Sequence, residues 1–169
     1  MKLYGITGWK NCGKTGLMER LVTDFTTRGL SVSTIKHAHH STDVDQPGTD
    51  SHRHRQAGAS EVILASRHRV AIMQELRGAE EPPLEELLAR LTPVDLVLIE
   101  GYKGDRHAKI EAHRQAAGQP LIAPGDSTIH AVASDVPLDL DRAVFDLDDT
   151  VAIANFILAE LDLTAGVTG

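Results

Sequence analysis

The segment Leu3-Tyr4-Gly5-Ile6-Thr7 runs without a break into Gly8-Trp9-Lys10-Asn11-Cys12-Gly13-Lys14-Thr15. This junction constrains the fold more than any other stretch, because a G-x-x-x-x-G-K-[ST] loop binds phosphate only where a strand leads in and a helix leads out. Both neighbours are legible. Lys2 to Thr7 predicts a strand, and Leu17, Met18, Leu21, Val22 and Phe25 recur at helical spacing between Lys14 and Arg28, with Gly29 as a left-handed stop. Ser31 to Lys36 predicts a second strand, rich in β-branched residues. The opening is therefore β-loop-α-β, with the loop at the carboxyl end of a strand, where open α/β sheets bind ligands.

The residue types of the loop state its chemistry. Gly8 and Gly13 let the backbone wrap closely around phosphate, so that amides from Trp9 through Gly16, and the start of the helix, point at an anion. Lys14 is a point charge for β- and γ-phosphates, and Thr15 offers a hydroxyl to the Mg²⁺ that bridges them. Cys12 sits where a lysine and a helix start favour a thiolate, although the loop needs only a small side chain there. Lys10 either faces phosphate or is solvated, and Trp9 either covers the nucleotide or packs beside the loop. An acidic group is expected at the end of a neighbouring buried strand, to meet the metal or the attacking water. Val94 to Gly101 is the most apolar run, and Glu100 stands at its carboxyl end, whereas Asp95 stands at its start.

Further along, Ala38 to Gly48 reads as a polar surface loop, and Asp50 or Thr49 is placed to cap a short segment ending at Gly58. Glu61 to Ala65 and Val70 to Gln74 lie too close for a crossover helix, which predicts an antiparallel pair at one edge of a mixed sheet. Leu84 to Leu91 reads as a helix after Pro82-Pro83, Lys109 to His113 and Thr128 to Ser134 as strands, and Asp149 to Leu161 as a closing amphipathic helix. The expected architecture is a three-layer P-loop nucleotide-binding α/β fold, with a mostly parallel central sheet and an antiparallel edge. At 169 residues and 41% hydrophobic content, one domain over residues 1–169 is expected, with a flexible tail from about residue 163.

A net charge of -7 argues against holding nucleic acid through its phosphates. One cysteine and no apolar run long enough to span a membrane point to the cytoplasm. His37, His39, His40, His52 and His54 crowd into a short span and raise a nickel or zinc site, but no cysteine joins them at a diagnostic spacing. The strand from Ile129 ends at Asp135, a carboxylate able to accept both N–H donors of guanine or simply to cap a turn.

Several separated segments carry a family resemblance. They are the loop Gly8 to Thr15, Ile35-Lys36-His37 with His39-His40, Asp43-Val44-Asp45-Gln46-Pro47-Gly48-Thr49-Asp50-Ser51, Arg55-Gln56-Ala57-Gly58-Ala59, Leu98-Ile99-Glu100-Gly101-Tyr102-Lys103 with Ala108-Lys109-Ile110, and Ala131 to Pro137. In order and spacing the chain resembles the molybdopterin-guanine dinucleotide biosynthesis protein B family. The resemblance implies a GTP-binding, weakly hydrolytic, often dimeric protein using Mg²⁺. It would assist attachment of GMP to molybdopterin, with the nucleotidyl transfer performed by a MobA-type partner. On that basis Glu100 and Asp50 are expected at the metal or the attacking water, and Asp135 at the base. Gly16 departs from the pattern, since a second threonine is common there, and backbone contact is expected to stand in for its hydroxyl. The alternatives are a nucleotide-switched nickel or zinc chaperone, and a small-molecule kinase, for which no arginine-rich lid is visible.

Overall fold

A computed structural model describes residues 1–38 and 43–164. In chain order the elements are β1 (Lys2–Thr7), α1 (Lys14–Thr27), β2 (Val32–Lys36), α2 (Asp50–Gln56), β3 (Glu61–Ala65), β4 (Val70–Gln74), α3 (Leu84–Ala89), β5 (Leu96–Glu100), β6 (Lys109–His113), β7 (Ile129–Ser134), β8 (Ala143–Asp146) and α4 (Thr150–Glu160). They form two compact units, one of residues 1–37 with the chain from Leu91 on, the other of residues 38–90. No helix among the described residues is long and apolar enough to cross a membrane.

The first unit is built on a six-stranded sheet in the order β2-β5-β1-β6-β7-β8. Every pairing in it is parallel. Pattern and position agree: all five residues of β5 are buried, as a strand between two neighbours and between two faces requires. On one face Tyr4, Ile6, Leu96, Leu98, Ile110, Ala112, Ala131 and Ala133 pack under Leu17, Leu21 and Phe25 of α1 and Ile153, Ala154 and Ile157 of α4. Each large side chain buried this way contributes roughly 1.5–3 kcal/mol. Leu163 packs against the same core, and residues 165–169 of the expected tail lie outside the described residues.

Register sets the site. Ile6 and Lys36 both pair with Glu100, and Thr7 pairs with Glu111, so the carboxyl ends of β2, β5 and β1 lie level where the phosphate loop begins. Asp95 lies at the opposite ends of the strands, where its Oδ2 accepts from the Ser31 amide at 2.8 Å and the Ser31 hydroxyl at 2.6 Å. It has no place near the loop.

The second unit holds β3 and β4, antiparallel from Glu61 opposite Gln74 to Ala65 opposite Val70. The expected pair forms at the expected residues, but as a two-stranded sheet of its own, so the larger sheet is parallel rather than mixed. A short turn satisfies the ladder by itself, through Ser66 Oγ, which accepts from the amides of His68 and Arg69. Thr49, rather than Asp50, caps α2, its side chain accepting from the His52 amide. The Asp43 to Ser51 segment folds around Arg55, whose guanidinium meets Asp43 at 2.8 Å, Glu75 at 2.7 Å and Asp45 at 3.4 Å. Thr49 and Ser51 hydroxyls add 3.0 Å bonds to Asp45. These residues of the family pattern are thus a scaffold within the unit.

Candidate nucleotide-phosphate site

β1 ends at Thr7 because the next residue leaves extended geometry. Gly8 has φ 138, and a Cβ on it would lie 2.4 Å from the Ala112 carbonyl oxygen of β6, so only glycine lets the loop rise against that strand. Gly13, at φ 91, caps α1 with no side-chain hydrogen bond. The first-turn amides of a helix lack intrahelical partners, so an uncapped start offers them and the positive end of the helix dipole to an anion.

Lys14 donates to the Trp9 carbonyl at 2.6 Å, folding its ammonium back across its own loop. Burial lowers the Lys14 pKa below the ordinary lysine value; Glu100 and Cys12 oppose the shift, while Lys103 and Lys36 add to it. An incoming phosphate relieves that cost by supplying the missing negative charge. Asn11 takes the loop through φ 66. Cys12 is a buried free thiol, only 1% exposed, so it fills space beneath the loop and its nucleophile reading is set aside. Lys10 is exposed. Trp9 packs beside the loop, its Nε1 donating to the Pro120 carbonyl at 2.7 Å, with Lys103 Nζ 4.1 Å from the ring centroid.

Glu100 lies where the strand-end reasoning puts it. Its side chain is 11% exposed, and Oε1 is 3.4 Å from Lys36 Nζ, the neighbour that parallel register sets beside it. Thr15, Lys36 and Glu100 line one groove of about 470 Å³ together with Met18, Val22 and Thr34. The hydroxyl and the carboxylate are hard oxygen donors, which fits Mg²⁺. After β5 the chain turns sharply at Gly101, φ 98, where a Cβ would come 2.9 Å from the Cβ of His37. Tyr102 then stacks on His37 with ring centroids 4.7 Å apart.

Asp135 follows β7, exposed beside a groove of about 270 Å³ that Val136, Phe145 and Asp146 also line. Its Oδ1 accepts from the Gln115 amide at 2.9 Å, which orients the carboxylate at the strand ends. Asp50 belongs to the second unit, in the exposed first turn of α2, 4.0 Å from Arg53. His39 and His40 lie outside the described residues, and among the described ones no three His, Cys, Asp or Glu side chains gather as a metal site.

Two basic residues at the site lie outside the phosphate loop. Lys36 is the last residue of β2, and only the strand register brings it to Glu100. Arg114 follows β6, and a Cβ on Gly13 would lie 3.0 Å from its Nε. The position directly after a strand is the available signal for Arg114, and the segment Ile35-Lys36-His37 is that for Lys36.

Comparison with known proteins bears on the family of the chain. Residues 3–135 match the family model described as molybdopterin guanine dinucleotide synthesis protein B. A molybdopterin-guanine dinucleotide biosynthesis adapter protein of Escherichia coli is 42% identical over 159 residues, covering 92% of this chain and 91% of that protein. The protein of the same name in Haemophilus influenzae is 43% identical over 158 residues, covering 92% and 86%. The crystal structure of a MobB protein homolog from Bacillus stearothermophilus superposes with a TM-score of 0.68 at 27% identity, covering 96% of this chain and 99% of that one. The chain belongs to the molybdopterin guanine dinucleotide synthesis protein B family.

Proposed function

We propose that this chain is a GTP-binding adapter that assists attachment of GMP to molybdopterin, forming the guanine dinucleotide form of the molybdenum cofactor. One observation carries the reading: in a chain of this family, an uncapped helix start, Lys14, Thr15 and Glu100 converge at the carboxyl ends of parallel strands. The loop from Gly8 to Gly16 cradles the β- and γ-phosphates through its amides, and Lys14 leaves the Trp9 carbonyl to pair with them. Thr15 and Glu100 are the oxygen donors that would hold Mg²⁺, which would supply neutralisation of the phosphate charge. Asp135 accepts from guanine. Hydrolysis is weak, and Lys36, 3.4 Å from Glu100, holds that carboxylate at the strand end. The metallochaperone and kinase readings gain no support from the family to which the chain belongs.

The working form is a homodimer in the cytoplasm, where a free Cys12 stays reduced. By strand register Ile63, Val70 and Ile72 share one face of the two-stranded sheet, and each is about 60% exposed. A two-stranded sheet with a bare apolar face is marginal alone and gains from a second copy. A MobA-type nucleotidyltransferase performs the transfer on molybdopterin while this chain presents nucleotide or product. The test is reconstitution: that transferase, molybdopterin and GTP with Mg²⁺ are combined with and without this protein, and dinucleotide is measured. A faster or more complete yield with wild type than with Lys14→Ala is expected, and equal yields in all three cases would overturn the reading.

A further inference from the structure

The mechanism above leaves one stretch of the nucleotide without a protein partner, between the phosphates held by the loop and a base held at Asp135. Arg114 occupies that interval. It directly follows β6, which runs past the end of β1 and presses the Ala112 carbonyl against Gly8. From there the guanidinium reaches Gly13, with Nε 3.0 Å and one terminal nitrogen 3.6 Å from the point a Gly13 Cβ would occupy. The next residue, Gln115, gives its amide to Asp135. Arg114 is thus bracketed by the residue that opens the phosphate-binding helix and by the base candidate.

Its charge is also uncommitted. The Arg114 side chain is half-buried and makes no ion pair or hydrogen bond among the described residues. Arg20, Arg28, Arg55 and Arg142 are each engaged by a carboxylate or a carbonyl. A planar fork of donors beside a helix start suits one ligand chemistry best, a phosphate oxygen bound through two N–H groups.

We infer that Arg114 binds the α-phosphate of the nucleotide. The inference deepens the GTP-binding reading and rests on it. GDP and GTP share that phosphate, so Arg114 contributes equally to both and plays no part in sensing the γ-phosphate.

The test is calorimetry on the full chain with GTP, GDP and GTP carrying sulfur on the α-phosphorus, with Mg²⁺, for wild type, Arg114→Met and Arg114→Lys. Wild type should bind one α-thio diastereomer several-fold more weakly than GTP, since sulfur is a poor acceptor for a guanidinium. Arg114→Met should weaken GTP and GDP alike by about ten- to hundredfold, the scale of a hydrogen bond to a charged group, and lose the α-thio discrimination. Arg114→Lys keeps the charge without the fork and should fall between. The inference is overturned if Arg114→Met binds GTP as wild type does, if it loses affinity but keeps the discrimination, or if wild type shows none. Should Arg114→Met fail to fold, Arg114→Lys decides: discrimination equal to wild type overturns the inference, and reduced discrimination supports it. Wild type that binds no GTP at all would instead remove the underlying reading.

Discussion

At the residue scale the site is governed by what glycine permits. Gly8 and Gly13 are obligatory, the first because β6 leaves no room for a Cβ, the second because Arg114 and the Leu147 side chain crowd it at φ 91. Gly16 is different. The nearest atom to a Cβ there is Arg20 Nη1 at 3.5 Å, ordinary contact, so the position tolerates a side chain. Gly16→Thr should tighten GTP about fivefold, one neutral hydrogen bond of about 1 kcal/mol, and raise the melting temperature because glycine is a poor helix interior residue. Calorimetry and thermal melts check both, and weaker binding would show that the space is needed empty. Legibility followed the same line. Gly8, Gly13, Lys14 and Thr15 were readable because the motif encodes backbone geometry within one short stretch. Arg114 was not, nor was the pairing of Lys36 with Glu100, because only strand register brings them to Gly13 and Glu100.

At the element scale β6 shows what a pattern conceals. Lys109, Glu111 and His113 alternate with Ile110 and Ala112, which suggests a half-exposed strand, yet all five residues are buried. Lys109 and Glu111 find their partners in loops, whereas His113 Nδ1 is buried without a hydrogen-bond partner among the described residues. Glu111 accepts from the amides of Ile122 and Ala123 at 2.7–3.0 Å, and Lys109 donates to Thr128 Oγ1 at 2.8 Å and to the carbonyls of Asp105 and His107. Buried charge is tolerated where every polar atom is met. β8 was missed for a related reason, since Ala143 to Asp146 is too short to stand out and is a strand only because β7 lies beside it.

The loop entering β6 makes stability depend on pH. Burial lowers the His107 pKa below 6.5, the Lys109 charge adds to the shift, and Asp105 opposes it. Its Nε2 is buried without a hydrogen-bond partner. As pH falls through 6.5 the unfolded chain takes up a proton that the folded chain still refuses, so stability falls until the folded imidazole is also charged. Urea midpoints measured from about pH 7.5 to about pH 5.5 should decline, and His107→Gln should flatten that slope. An unchanged slope in the variant would assign the dependence elsewhere.

At the scale of the whole molecule, the parallel sheet was legible from the alternation of strand and helix signals, and the antiparallel pair from its short spacing. That the pair forms a separate sheet was not, because sequence spacing fixes which strands can pair but not which sheet they join. Its bare apolar face carries the dimer proposal. Ile63 and Ile72 face one another across the pair, so Ile63→Lys with Ile72→Lys sets two like charges at the centre of that face. Light scattering should find the variant monomeric where wild type is dimeric, with GTP affinity retained. A dimer that survives both substitutions would move the interface to another surface.

In the proposed function Gly8 to Thr15 holds the phosphates of a guanine nucleotide. Calorimetric titration of GTP and ATP, each with Mg²⁺, into wild type and Lys14→Ala tests it most directly. Wild type should show saturable one-site binding of GTP and weaker binding of ATP, and the variant should lose at least about tenfold in GTP affinity, as removal of a charged hydrogen bond entails. Equal, weak heats for both nucleotides and both proteins would contradict it.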